Sequence, residues 1–140
     1  DLVASLGLEG VVEILGRRTD VRHLAAESDV GVLATHFEGS PLAVVEYAAA
    51  GLPAVVSVVE GTEQLIAPDH GIIGVPPQDP RALADAVASL LRDPERARTL
   101  GARARERMRA LCDVEVVLDA ICDVYDDVLS APRSRRAEIG

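Results

Sequence analysis

Apolar residues follow two spacings along this chain, and the spacing changes partway through. In the first half they come in short, β-branched blocks: Val11 to Leu15, Val30 to Ala34, Pro53 to Val59 and Ile72 to Val75. Blocks of that length bounded by glycine, proline or acidic residues predict strands. Pro53 suits a strand's first residue, where no ladder donor is lost. Val30 to Ala34 is apolar on both faces, as a central parallel strand is. Between the blocks lie short helical patterns. Leu2, Val3 and Leu6 end one helix, closed by Gly7. Val21, Leu24 and Ala25 mark a second behind Asp20 as N-cap. Leu42, Val45, Ala48 and Ala49 mark a third, which Gly51 stops. Ser40 is its expected N-cap and Pro41 its first helical residue. Gln64, Leu65 and Ile66 give one weak helical turn.

After Pro76-Pro77-Gln78-Asp79-Pro80 the pattern becomes helical throughout. Asp79-Pro80 opens a helix whose apolar face is Leu83, Val87, Leu90 and Leu91. Asp93-Pro94 opens another, with Ala97, Leu100, Ala104, Met108 and Leu111. Asp113 caps a third, with Val117, Leu118, Ile121, Tyr125 and Leu129 facing inward. Residues 131–140 read as a frayed, flexible tail.

Strands alternating with helices predict an α/β fold, a Rossmann-like parallel sheet with flanking helices, followed by a helical carboxyl-terminal segment. In such a sheet the loops after the strands gather at the carboxyl edge, where ligands bind. Three loops are gathered in this way: Gly16 to Asp20, Thr35 to Ser40, and Val59 to Glu63. A helix end so close to Asp1, with Met108 the only methionine, predicts a domain that begins upstream.

Composition narrows the function. The 140 residues are 49% hydrophobic, but Phe37, Tyr47 and Tyr125 are the only aromatics, so the core must be aliphatic. No apolar run reaches the ~20 residues of a membrane span, and no signal peptide opens the chain, which predicts a cytoplasmic protein. A formal charge of −9 argues against nucleic acid, because phosphate backbones require a basic face. Every basic residue is arginine, and Arg103, Arg105, Arg107 and Arg109 read as a solvated helix face diluted by acids. Cys112 and Cys122, ~15 Å apart if helical, are too far apart for a disulfide and read as reduced thiols. His23, His36 and His70 lack the spacing of a metal site, although His36 adjoins the Thr35 to Ser40 loop. Ser40 lacks the glycine context of a hydrolase nucleophile.

Candidate chemistry therefore concentrates at Glu38 to Glu46. A helix starting at Pro41 offers free N–H groups and a positive dipole end to a phosphate, and Gly39 leaves the approach open. Local donors matter here because the acidic chain as a whole repels anions. Glu46, a turn and a half into the helix, and Glu38, in the loop, can accept from vicinal sugar hydroxyls. The plainer alternative is a solvated helix residue and a loop charge favoured by the dipole.

The run Glu38-Gly39-Ser40-Pro41-Leu42-x-x-x-Glu46-x-x-Ala49-x-Gly51-x-Pro53-x-Val55 resembles the donor-site signature of retaining glycosyltransferases of family 4, which have the GT-B fold. Ile14-Leu15-Gly16, Ser28-Asp29-Val30, Gly61 with Glu63, and Val75-Pro76-Pro77-Gln78-Asp79-Pro80 stand at the family's other usual places. The resemblance runs from about residue 6 to residue 111. It implies that residues 1–130 are part of a carboxyl-terminal, nucleotide-sugar-binding domain. Glu46 would hold the ribose hydroxyls, and Glu38 the donor sugar. Gly39, Ser40, Pro41 and Leu42 would lie by sugar and diphosphate, and Gly16 and Arg17 by the base. The implied reaction is sugar transfer with retention of configuration, with no cofactor and no bound metal. An amino-terminal acceptor-binding domain would complete the enzyme, possible contact with the inner face of a membrane would run through that domain, and the fragment alone would be inactive. A basic pair that grips the diphosphate in this family is expected upstream of Asp1. Phe37 before Glu38, and Ser40-Pro41 in place of an aromatic-glycine pair, depart from common variants and leave the sugar open. A nucleotide-sugar epimerase of the same fold, or a non-catalytic binding module, are the alternatives.

Overall fold

A computed structural model describes residues 2–66 and 70–130; the predicted tail at 131–140 lies outside them. The elements in order are α1 (Leu2–Ser5), α2 (Val21–Glu27), β1 (Gly31–Leu33), α3 (Leu42–Ala50), β2 (Ala54–Ser57), a 3-10 turn (Glu63–Leu65), β3 (Ile72–Val75), α4 (Pro80–Arg92), α5 (Pro94–Cys112) and α6 (Val114–Ser130). The three strands pair in parallel in the order β1-β2-β3. Val55 faces Val32 on one side and Ile73 on the other.

β2 is buried along its whole length, because helices cover both faces of the sheet. Its side chains alternate between two cores, as the period of a strand requires. Ala54 and Val56 join Val44 and Ala48 of α3, Ile72 of β3, and Ala104 and Met108 of α5. Val55 joins Val75 of β3, Leu90 of α4 and Ala97 of α5 on the opposite face. No aromatic is among the buried residues of either cluster, and Tyr47 packs against the first from its margin. Gly101 of α5 lies so near the Gly51 carbonyl that a Cβ there would overlap it.

Helix ends follow local chemistry. Asp79 accepts from the Ala82 N–H (2.9 Å) and Asp93 from that of Arg96 (3.0 Å), each followed by proline in the first turn. Asp113 accepts from Glu115 N–H (3.0 Å) as α6 begins. Gly51 ends α3 at φ 75°, with Gly51 N–H on Ala48 O and Leu52 N–H on Tyr47 O, a paired closure that needs the left-handed residue.

Several expectations are corrected. Residues 11–15 form no strand: they pair with no described strand, and Val11 and Ile14 are exposed. A β-rich run becomes a strand only when a partner takes its backbone bonds. β1 is accordingly an edge of the described sheet, and Val32 is partly exposed on it. Strand ends are also trimmed: β1 spans Gly31–Leu33 and β2 spans Ala54–Ser57. Asp20 stands before α2 but caps nothing, because its carboxylate pairs with Arg18. Ser40 is not the N-cap of α3; Pro41 occupies that position and makes no side-chain bond. Leu91 of α4 is exposed. The apolar face of α6 is not inward, with Val117, Leu118, Ile121, Tyr125 and Leu129 all exposed among the described residues. Cys112 ends α5 and Cys122 lies in α6, both free and exposed.

Candidate functional site

The carboxyl ends of β1, β2 and β3 release three loops that touch one another. The first, residues 34–41, carries the candidate loop and feeds α3. Its Thr35 hydroxyl donates to Phe37 O (3.0 Å), and the Thr35 N–H donates to Ser57 Oγ at the end of β2 (3.4 Å). The turn is thereby tied both to itself and to the next strand.

The second loop follows β2 and is closed by Thr62, which is fully buried. Its Oγ1 accepts from Val59 N–H (2.9 Å) and lies 2.9 Å from Ser57 O and 2.8 Å from Val59 O, to one of which it donates. This knot holds Gly61 at φ +87°, against the backbone of Glu38 and Gly39, where a Cβ would overlap the Glu38 carbonyl oxygen. Substituting Thr62 with Val leaves the Val59 N–H and two carbonyls in that knot without the hydroxyl. A loss of about 1–3 kcal/mol is expected, read by denaturant unfolding of the full-length protein. An unchanged midpoint would show that the knot is not holding the loop.

The third loop, Pro76 to Asp79, meets the first where Gln78 Nε2 approaches His36 Nδ1 at 3.4 Å. Between these loops is a cleft of about 190 Å³, lined in part by Thr35, His36, Ser57 and Gln78.

At the start of α3, Leu42 N–H is held by Ser40 O (2.9 Å) and Val44 N–H by Pro41 O (3.0 Å). Among the described residues nothing accepts the N–H groups of Gly39, Ser40 or Ala43, and Gly39 has open space around its Cα. These donors, at the positive end of a nine-residue helix, suit an oxyanion. Glu38 is half-buried and Glu46 exposed, and neither carboxylate is paired with another described residue. Both are therefore free to accept from a ligand.

Tyr47, next to Glu46, packs its ring on β1, so closely that a Cβ at Gly31 would come within 2.6 Å of it. Its hydroxyl donates to Val32 O (3.4 Å). Burial, and secondarily the Glu46 charge, push the Tyr47 phenol above its ordinary value. The folded state prefers the neutral phenol, so its contribution is full below about pH 10 and is lost as pH rises through the folded value. We expect alkaline destabilisation that Tyr47→Phe reduces, measured as unfolding midpoint against pH; an identical alkaline slope in the variant would exclude Tyr47 as its source.

The structure does not bring every expected residue together. Gly16 (φ +64°) and Arg17 lie in an exposed irregular stretch, with no described hydrogen bond or ion pair to residues 38–46. The neighbouring Arg18 instead binds Asp20 through Nε to Oδ1 (2.7 Å), and this bond holds the carboxyl below its usual range. Ser57 and Gln78 join the loops through partners 22 and 42 residues away, which local sequence does not reveal, although Gln78 stands in the Val75 to Pro80 run; Thr62 closes its own loop through Ser57 and Val59. Among the described residues no group of three or more His, Cys, Asp and Glu could hold a metal ion. No described helix is long and apolar enough to cross a membrane.

Residues 1–107 match the family described as "Glycosyl transferases group 1". The chain belongs to this family. It is 34% identical over 118 residues to a glycogen synthase of Mycobacterium tuberculosis, covering 84% of this chain and 28% of that protein. It is 33% identical over 130 residues to an N-acetyl-alpha-D-glucosaminyl L-malate synthase of Bacillus anthracis, covering 91% of this chain and 34% of the relative. The chain thus spans about a third or less of these relatives' length. Among solved structures, sucrose-phosphate synthase from Thermosynechococcus elongatus superposes with a TM-score of 0.85 at 32% identity, over 94% of this chain and 33% of that one. HepE of Anabaena, solved in complex with UDP-glucose, shares the fold with a TM-score of 0.82 at 24% identity, over 90% of this chain and 35% of that one. This glycosyltransferase chain accordingly has the fold of the carboxyl-terminal domain of a GT-B protein, as its parallel sheet and flanking helices predict.

Proposed function

We propose that residues 1–130 are the donor-binding part of a retaining glycosyltransferase that transfers a hexose-type sugar from a nucleotide sugar to an acceptor. The observation that carries this reading is the presence, in one loop and the helix it opens, of free N–H groups and of the unpaired carboxylates of Glu38 and Glu46. In this reading the N–H groups of Gly39, Ser40 and Ala43, with Pro41 and Leu42 beside them, receive the diphosphate. Glu46 accepts from the ribose diol and Glu38 from the sugar hydroxyls. Gly16 and Arg17 border the base. Donors already aimed at the departing diphosphate stabilise the charge that develops there, so the chain's own contribution is electrostatic and positional. The glutamates hold the donor and do not form an acid and base pair. No bound metal is required by this set of groups.

The relatives named above as synthases support the sugar-transfer reading, and the UDP-glucose complex of HepE points to the kind of donor. The chain spans about a third of such proteins; in this reading the acceptor side lies in a further domain, and this segment alone should be inactive. The reading includes a cytoplasmic location.

The test is calorimetric titration of the full-length protein with nucleoside diphosphates and nucleotide sugars, then product analysis with and without acceptor. Saturable donor binding and acceptor-dependent transfer with retention are expected. Turnover without acceptor would indicate an epimerase, and no binding by any nucleotide would indicate a non-catalytic module.

A further inference from the structure

Gln78 has no role in the donor site as drawn above, yet its conformation is exceptional. It is the single non-glycine residue with positive φ (59°) among the described residues. Side chains other than those of glycine, asparagine and aspartate rarely occupy this region, and such outliers persist where the surroundings enforce them. In this conformation Gln78 Nε2 reaches back across the carboxyl edge to His36 Nδ1 at 3.4 Å, an exposed contact that joins segments 42 residues apart. An amide nitrogen can only donate, so His36 receives this bond on an unprotonated Nδ1, with its ring proton on Nε2.

His36 lies two residues before Glu38, and this short loop is restrained at three points. Ser57 holds the Thr35 N–H, Gly61 lies against the Glu38 and Gly39 backbone, and Gln78 holds His36. The first two come from β2 and its loop. The Gln78 contact is the one supplied by the β3 loop, which is anchored to α4 through the Asp79 cap.

We propose that Gln78 is a positioning residue, a latch that sets the Glu38 loop through His36 for the sugar-transfer step. This rests on the donor-site reading above. The latch acts on the loop that carries Glu38 and leaves α3, with Glu46, seated by its own core contacts through Val44 and Ala48. Its loss should therefore lower kcat for the nucleotide sugar about three- to tenfold, while the affinity for the bare nucleoside diphosphate stays the same.

Gln78→Gly is the primary variant, because glycine keeps the positive φ without strain and removes only the side chain. Gln78→Glu supplies a signature that a purely structural role would not produce. A carboxylate only accepts, so in that variant His36 can make the bond only with its ring proton on Nδ1, and the imidazole nitrogen shifts should report the tautomer opposite to that of the wild type. His36 itself gives a readout that needs no donor. Its imidazole nitrogen shifts, in full-length protein labelled with nitrogen-15 histidine and assigned with His36→Ala, should report the Nε2–H tautomer in the wild type and a mixture of tautomers in Gln78→Gly. Unchanged His36 shifts in Gln78→Gly overturn the latch. So does an unchanged kcat in that variant when the wild type turns over. If the wild type neither binds nor turns over a donor, the donor-site reading fails, and the positioning role for transfer fails with it. The nitrogen shifts would still show whether the contact between the loops exists.

Discussion

Replacing Glu46 with Ala in the full-length protein is expected to weaken nucleotide-sugar binding by about ten- to a hundredfold. The carboxylate is exposed and pairs with no described residue, so the free protein has nothing to lose when it is removed. In the proposed site its removal subtracts only interactions with the ligand. Hydrogen bonds to a charged group are worth about 1.5–3 kcal/mol net, which is roughly one to two decades of dissociation constant. The unfolding midpoint should stay close to that of the wild type, because Glu46 sits on the outer side of α3 while Val44 and Ala48 anchor the helix. Loss of affinity with unchanged stability separates a ligand role from a folding role. Glu46→Gln divides the contribution further: it keeps the shape and one acceptor oxygen but removes the charge, so an intermediate loss is expected. Calorimetry showing wild-type donor affinity in Glu46→Ala would remove Glu46 from the site and return it to being a solvated helix residue.

What the sequence made legible divides along the range of the interactions involved. Asp79-Pro80 and Asp93-Pro94 mark their helices correctly, since a cap bond spans only three residues and its chemistry is local. Gly51 is legible for the same reason, its left-handed conformation closing α3 within a turn. The apolar run at Val30 to Ala34 reads as a central strand, yet among the described residues β1 is an edge and β2 takes the centre. Residues 11–15 show the limit: the run is β-branched, but whether it pairs depends on a partner strand that its own residues cannot specify. α6 shows a second limit. Helical spacing correctly predicts the helix, yet a periodic face says nothing of what covers it, and Tyr125 is 65% exposed. At the site, Glu38 lies in the loop after β1 and Glu46 within the helix that this loop feeds. The contacts that seat the Glu38 loop, from Ser57 to Thr35 and from Gln78 to His36, join residues far apart in sequence and appear only on folding.

Gly61→Ala is expected to be the most damaging single change at the site. Two separate costs fall on one methyl group. The backbone sits at φ +87°, where an L-residue loses roughly 1–2 kcal/mol relative to glycine. The added Cβ would also overlap the Glu38 carbonyl oxygen, with the Gly39 carbonyl oxygen at 3.1 Å. Both obstacles are backbone atoms, so no rotamer change relieves them, and overpacking of this kind costs about 1–3 kcal/mol more. The total, roughly 2–5 kcal/mol, should appear in the unfolding of the full-length protein to the extent that the loops remain together. If they separate, the cost moves from stability to function: the Glu38 segment shifts, and donor affinity and turnover fall although no ligand-facing side chain has changed. Asn at position 61 separates the two terms, because it tolerates the left-handed region well but carries the same Cβ. If the contact with Glu38 dominates, Gly61→Asn should be nearly as damaging as Gly61→Ala. If the dihedral dominates, Asn should recover most of the loss. Wild-type stability together with wild-type donor affinity in Gly61→Ala would mean that the β2 loop does not press on the Glu38 backbone, and the seating of the candidate site described here would be wrong.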